Sequence, residues 1–562
     1  MICALANSLW LAGCISESAR FRRGVRQVAQ EQQEILRRIL AANAGTEFGL
    51  RHGFSSTGSP GDYQRRVPLR DFDQYREWID RAAAGAPNVL TRERVVLFEP
   101  SSGSAGATKW IPYTRSLQQE FQNGIRAWIA DIFLHSPGLL AGQAYWSVSP
   151  VTAQRQHTSA GIPVGFEDDA SYMGGWQRRL VKSVMAVPGE AQLVSDLDAF
   201  RYITLLFLAR SRDLRLISIW SPSFLSLLLD RLPEWGDRIV HDLERGTIGA
   251  TNTLPEKLGR FHGDPRRSRQ VRSALRAGTM QERNAQLWPR LGLISCWKDA
   301  NSAAPAARLA AQFPQSRMQG KGLISTEGFV SLPLARRDDS ALAIRSHFLE
   351  FLPADREGNV DPERPCLAHE LDPGARYSVV LTTGGGLYRY RLGDLIEVTG
   401  HFEGCPLIRF IGRHAYVSDW FGEKLSDAHV SHVLQDAFRT LAMVPSFAML
   451  ACETDLSPAR YVLYVDTPEQ DPLLHRAAAI VDAGLCENFH YSYARQLGQL
   501  ACVQPFRAAA AASVYMAAAV RNGQRAGNVK APGLDRRDGW SSVFEGRFLT
   551  EEPASGVRSQ AR

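Results

Sequence analysis

Apolar positions along the chain change period several times. Over residues 22–42 they recur three and four apart among Arg, Gln and Glu, the pattern of an amphipathic helix, and residues 114–134 repeat it. Short β-branched or aromatic runs alternate with these stretches. Residues 95–98 predict a strand that ends in a Ser/Gly segment, and 214–220 a second strand, stopped by Ser221-Pro222 and followed by a helical run. Residues 291–297 predict a buried strand, 304–312 a short helix, and 322–330 a strand and turn.

From Tyr377 to Phe410 the texture changes to short strands broken by glycine (YSVVLTT, LYRYRLGDLIEVTG, LIRFIG), which predicts a small barrel or meander. After Arg413 it changes again. A helix over 427–441, strands near 445–452 and 460–466, and two helices including the alanine-rich 507–521 predict a compact α+β unit. The tail after about Asp535 is polar and reads as frayed. The expected class is therefore α/β. Residues 1–412 form a large domain of layered sheets and helices with a small β-barrel-like part, and residues 413–562 a smaller α+β domain, the border falling within Gly412–Ser418.

With 44% hydrophobic and 22% charged residues among 562, the composition is that of a globular protein. The net charge of +7 is dispersed among acids and forms no long basic run, which argues against a nucleic-acid partner and suits small anionic substrates. Of the 65 basic residues only seven are lysines: 109, 182, 257, 298, 321, 424 and 530. In so arginine-rich a chain a lysine is a candidate for the compact point charge that a planar guanidinium cannot supply. The eight cysteines are scattered, with no C-x-x-C pair, and read as reduced thiols of a cytoplasmic protein.

The opening MICALANSLWLAGC ends in Leu11-Ala12-Gly13-Cys14, which resembles a lipoprotein signal. It lacks a basic n-region and runs straight into a helical pattern, so a buried helix is expected there. No later run reaches the ~18–20 apolar residues of a membrane span.

Three segments carry chemistry. Ser101-Ser102-Gly103-Ser104-Ala105-Gly106-Ala107-Thr108-Lys109 follows a strand and precedes a helix. Glycines let backbone N–H groups turn toward an anion, hydroxyls add donors and the lysine adds charge, so the segment suits phosphate; as a bare Ser/Gly run it would be a surface loop. It fits neither the Walker spacing nor G-x-G-x-x-G. In Gly322-Leu323-Ile324-Ser325-Thr326-Glu327-Gly328 a carboxylate beside a hydroxyl can hold Mg2+ on nucleotide phosphates, although any exposed Thr-Glu-Gly turn looks the same. In Tyr388-Arg389-Tyr390-Arg391-Leu392-Gly393-Asp394 the aspartate can accept two ribose hydroxyls; the plainer alternative is a strand with outward Arg and Tyr.

The order of these blocks, followed by Phe410-Ile411-Gly412-Arg413, resembles the adenylate-forming superfamily. Within it, the sequence is most similar to the plant auxin-responsive Gretchen Hagen acyl acid amido synthetases and their bacterial relatives. Thr46-Glu47-Phe48-Gly49, Leu287-Trp288-Pro289, His347-Phe348-Leu349-Glu350-Phe351 and Gly422-Glu423-Lys424-Leu425-Ser426 extend the likeness over nearly the whole chain.

The resemblance implies an ATP-dependent ligase that adenylates a carboxylic acid and passes the acyl group to an amine, an amino acid above all. The same superfamily also contains ligases that pass it to coenzyme A or a carrier thiol, and a non-catalytic nucleotide-binding homologue would keep the fold. By the resemblance Ser101, Ser102, Gly103, Ser104, Gly106 and Lys109 hold the ATP phosphates, and Thr326 and Glu327 the α-phosphate and Mg2+. Asp394 then takes the ribose, Arg413 marks the hinge, Lys424 is a phosphate contact, and Lys530 is the late lysine used in adenylation. Ser104 and Ala105 replace the usual Thr-Ser, and Leu323 stands where an adenine-stacking aromatic is common. An acyl pocket is expected among the helices at 114–134 and 222–230 and the strand near 328–333, with Trp128, Trp220, Phe224 and Phe329 as candidates for its wall. A monomer is expected.

Overall fold

The computed structural model describes residues 2–549 apart from 103–107, 147–155, 166–182, 195, 250–257, 259–260, 356–357, 414–416, 419, 422, 497, 523 and 525–528. The chain divides into two compact units, one of residues 1–411 with 523–529, the other of 412–522 with 530–562.

In the larger unit the helix Ile2–Gly24 packs along the helix Arg115–His135, with Trp10 set edge-on to Phe133 at 5.9 Å. Cys14 is wholly buried in that helix, and burial pushes its thiol up to about 12. The helical pattern read over 22–42 is split by a turn at 25–27, after which Val28–Asn43 forms its own helix and buries Ile35, Leu36, Ile39 and Leu40. Thr114 starts the Arg115–His135 helix by accepting a hydrogen bond from the Leu117 backbone N–H.

Three sheets of this unit frame the candidate residues. The first has four parallel strands in the order Gln143–Trp146, Leu214–Ser218, Leu293–Ser295, Arg317–Gln319. Most of their apolar residues are buried because helices connect the strands, as parallel pairing requires. The second has seven strands, of which Phe348–Ala354, Arg376–Thr382, Tyr390–Phe402 and Cys405–Arg413 are neighbours in chain order. In hydrogen-bonding order these four strands run as a meander, one of the two forms expected for the glycine-broken segment. A smaller sheet contains the antiparallel hairpin of Leu97–Ser102 with Thr108–Tyr113.

The smaller unit is built on a five-stranded sheet in the order Leu534–Asp535, Phe447–Glu453, Arg460–Asp466, Ala501–Ala508, Gly546–Phe548. The helices Asp427–Thr440 and Asp471–Leu485 share a core with it through Val430, Leu434, Leu474 and Val481. Two expectations are corrected here. The alanine-rich helix begins at Ala511, not 507, because 501–508 is a strand paired in parallel with Arg460–Asp466; Val503, Phe506 and Ala508 are buried. Residues 540–549 of the tail belong to the fold: Trp540 and Phe544 are buried and stack at 4.9 Å, and Gly546–Phe548 pairs with the strand at 501–508.

Candidate active site

The Ser/Gly segment is the connection of a hairpin, with Ser101 paired to Lys109 and Ser102 to Thr108. A second strand, Thr108–Tyr113, therefore stands between the segment and the expected helix, which starts at Arg115. Gly103, Ser104 and Gly106 lie outside the described residues, and of Ser101 and Ser102 the backbone alone is described. Lys109 is half-buried, its Nζ 5.5 Å from the centre of the Phe72 ring.

Four residues further along the same strand, on the same face by the two-residue period, Tyr113 donates its hydroxyl to the carbonyl oxygen of Thr326 at 2.6 Å. That contact joins the lysine strand to the Thr-Glu-Gly turn. The turn is closed by the Ser325 N–H donating to Gly328 O at 3.0 Å and by the bridge between Ile324 and Phe329. Gly322 opens it with φ +71, where a Cβ would stand 2.4 Å from the Ser331 carbonyl oxygen, so no other residue fits.

Glu327 is buried, 7% exposed, and its Oε1 accepts the Tyr390 hydroxyl at 3.3 Å. Tyr390 begins the strand that carries Asp394. In that strand Ser378 pairs with Leu395 and Val380 with Arg391, so Leu392, Gly393 and Asp394 bulge opposite Val379. Gly393 supplies the φ of +81 that the bulge needs, and Asp394 is buried within it. A second route ties the same elements. Phe72, under the Lys109 ammonium, is two residues from Arg70, whose N–H donates to Arg389 O at 3.1 Å and whose carbonyl accepts Arg391 N–H at 2.7 Å. Lys109, Thr326, Glu327 and Asp394 are thus carried on segments that hydrogen bonds lock to one another within the larger unit.

Residues to which the sequence assigned no role, Glu120 among them, lie behind this frame. His347 Nε2 accepts the Phe329 N–H at 2.9 Å, so its proton sits on Nδ1, which donates to Glu120 Oε2 at 2.7 Å. Glu120 also accepts the Gly384 N–H at 3.0 Å. One buried carboxylate therefore fixes both the Thr-Glu-Gly turn and the glycine turn that precedes Tyr390. Arg389, at φ +50, is held by Glu350 at 3.1 Å and donates to the carbonyls of Gln64 and Val67, both at 2.8 Å. Burial raises the Glu350 carboxyl pKa, and the Arg389 guanidinium opposes that rise.

In the smaller unit Arg413 and Lys424 are exposed, and Lys530 is half-buried. Arg413 and Lys530 act electrostatically on Asp427, which burial pushes up and whose Oδ1 accepts the Leu534 N–H at 3.0 Å. Lys424, at φ +45, follows Glu423, whose carboxylate accepts the N–H groups of Trp420 and Phe421 and the hydroxyl of Tyr461. Three expected cationic residues are therefore placed close to the start of the Asp427–Thr440 helix.

Of the expected acyl-pocket residues, Phe329 packs at right angles to Phe121 in the core and Phe224 is buried. Trp128 and Trp220 meet around Lys321, a lysine without a role in the sequence motifs. Its Nζ is 5.0 Å from the Trp128 ring, 5.1 Å from Trp220 and 5.6 Å from Trp146, and it donates to Ser218 Oγ. Among the described residues no group of three or more His, Cys, Asp or Glu is placed to hold a metal ion by itself. No described helix is long and apolar enough to cross a membrane.

Comparison with known proteins gives one answer. A model described as the GH3 family N-terminal domain matches residues 17–318, and one described as the GH3 family central domain matches 340–413. The Arabidopsis thaliana indole-3-acetic acid-amido synthetase GH3.2 is 23% identical over 467 residues, covering 77% of this chain and 83% of that protein. The probable indole-3-acetic acid-amido synthetase GH3.11 of Oryza sativa subsp. japonica is 25% identical over 518 residues, 83% of this chain and 84% of that one. Among solved structures, AtGH3.15 acyl acid amido synthetase in complex with 2,4-DB has the same fold, with a TM-score of 0.79 at 17% identity over 97% of this chain and 98% of that one.

Proposed function

Since this chain belongs to the GH3 family, we propose that it is an ATP-dependent acid–amino acid ligase that joins a carboxylic acid to AMP and then to an amine. In the first half-reaction the substrate carboxylate attacks the α-phosphorus and pyrophosphate leaves. In the second, an amine, an amino acid in the first instance, attacks the carbonyl carbon, AMP leaves, and the nitrogen loses a proton as the amide forms.

The observation that supports this most is the hydrogen-bonded frame joining the strand of Lys109, the turn of Thr326 and Glu327, and the bulge of Asp394. Fixed groups of this kind act by position and charge, which is what phosphoryl and nucleotidyl transfer demand of a protein. Lys109 serves as a point charge on the phosphate oxygens, together with donors of the Ser101–Gly106 segment, and Asp394 accepts the ribose hydroxyls. Mg2+ in nucleotide sites takes one or two carboxylates plus phosphate oxygens, and the buried carboxylate of Glu327 fits that role. When bound, the ion would neutralise charge on the phosphates. Arg413, Lys424 and Lys530 are assigned to the nucleotide on the same reading. The eight free thiols support a reducing, cytoplasmic setting, and the protein is proposed to act as a monomer.

Lys109→Ala tests the proposal. Acid-dependent pyrophosphate release is expected to fall by about 10²–10³-fold, the usual cost of removing one preorganised charge or donor; unchanged release overturns the assignment. Mass spectra of products formed with amino acids and with coenzyme A separate amide from thioester synthesis.

A further inference from the structure

The four parallel strands end in register. Trp146 pairs with Ser218, Ser218 with Ser295, and Ser295 with Gln319, so the last residues of the strands form one row, and residues in register share a face. In open α/β sheets the crevice outside the carboxyl ends of the strands is where ligands bind.

The chemistry of this row is one-sided. Gln319 Oε1 is taken by the Trp128 indole N–H at 3.1 Å, which leaves the amide NH2 facing the other way. That Nε2, the Ser295 hydroxyl and the Trp146 indole N–H find no hydrogen-bond partner among the described residues, although Ser295 is 0% and Gln319 3% exposed. Buried polar groups are seldom left so, because an unmade bond there carries the full cost of desolvation. The amide and the indole can only donate. Lys321, two residues beyond Gln319 and 4% exposed, adds an ammonium held among three tryptophans.

We propose that this row is the acyl pocket and that it selects acids bearing a second oxygen acceptor remote from the reacting carboxyl, a second carboxylate above all. The inference rests on the adenylation reading and adds a substrate class to it. Lys321 and Thr326 are five positions apart, at most about 18 Å along the chain, so the tryptophan cage and the Thr-Glu-Gly turn are joined by one short segment. The tryptophan rings wall the hydrocarbon part of the acid, and Lys321, Gln319 and Ser295 take the second acceptor. A site built to hydrogen-bond a substrate group rejects the analogue lacking it far more strongly than a hydrophobic slot rejects a misfit.

The test uses matched acids on the full chain: adipate against hexanoate, and terephthalate against 4-methylbenzoate, read as kcat/KM for ATP-dependent pyrophosphate release. The diacid is expected to be preferred by about 100-fold or more. In Lys321→Met that ratio should fall to within a few-fold of one, and in the milder Gln319→Leu to an intermediate value. Equal or better use of the apolar monoacid by the unaltered protein overturns the inference while leaving adenylation standing, as does a ratio that Lys321→Met does not move. Should no acid release pyrophosphate, adenylation fails, and thermal shift then decides the pocket separately. Stabilisation by adipate but not hexanoate, lost in Gln319→Leu, supports the pocket; equal shifts sink it.

Discussion

Glu120→Ala is the substitution whose consequence can be worked furthest. The carboxylate is buried, 3% exposed, and accepts from His347 Nδ1 at 2.7 Å and from the Gly384 N–H at 3.0 Å. Truncation leaves two buried donors without an acceptor, each worth roughly 1–3 kcal/mol, with bonds to a charged group at the upper end. A loss of about 3–5 kcal/mol is therefore expected, a large share of the 5–15 kcal/mol that typically separates folded from unfolded chains. Glu120→Gln keeps the shape and one acceptor oxygen but turns its NH2 toward a donor, so about half that loss is expected. Because His347 in turn holds Phe329, next to the Thr-Glu-Gly turn, pyrophosphate release should also fall, by up to about 100-fold for a displacement near 1 Å. The assay is urea unfolding followed by tryptophan fluorescence on Glu120→Ala, His347→Ala and the double variant. Contacting residues in one network couple by about 0.5–3 kcal/mol. Strictly additive losses, or single losses below about 0.5 kcal/mol, would refute the relay.

Four further outcomes follow from particular contacts and from burial. Tyr390→Phe removes the hydroxyl that donates to Glu327 at 3.3 Å; a change of about 1 kcal/mol, roughly five-fold in the Mg2+ concentration for half-maximal release, is expected, and an identical Mg2+ titration sinks the assignment of Glu327 to the ion. Arg389→Ala strands the fully buried Glu350 carboxylate and should cost about 3–5 kcal/mol in denaturant unfolding, whereas Arg389→Met with Glu350→Leu should cost less than either single change; the reverse order refutes the pairing. Cys14, Cys296 and Cys405 are each raised by burial to about 12, above the ordinary thiol value near 9. The folded state therefore keeps these protons while the unfolded chain releases them, so stability is whole below pH 9 and declines as pH rises toward 12. Iodoacetamide at pH 8.5 should label exposed Cys502 first and spare those three, as read by mass spectrometry; their early labelling would contradict the burial.

What the sequence made legible is local. The helix at 115–135 and the strands at 214–218, 447–453 and 460–466 stand close to where apolar periodicity puts them, because burial on one face leaves its period in the chain. The same logic missed the strand at 501–508, whose Arg507, Gln504 and Pro505 break the pattern and whose parallel partner is the earlier strand Arg460–Asp466. Glu120 could not have been recognised either, since its partners His347 and Gly384 are 227 and 264 residues away and nothing in a helix marks one inward carboxylate as paired. Lys321 left a faint trace. Lysines are scarce in this chain, and this one immediately precedes a motif, but only the register of four parallel strands shows that it stands at their ends among tryptophans.

The strand Gly546–Phe548 gives the polar end of the chain a practical meaning. It occupies the outer rim of the five-stranded sheet, and the Trp540–Phe544 stack ahead of it shields Phe447 and Tyr464 from water. Cutting the polypeptide near 535, where composition alone invites a trim, would bare the backbone of 501–508 as a sticky border open to pairing with other copies. Such a shortened protein would betray itself by clumping during purification.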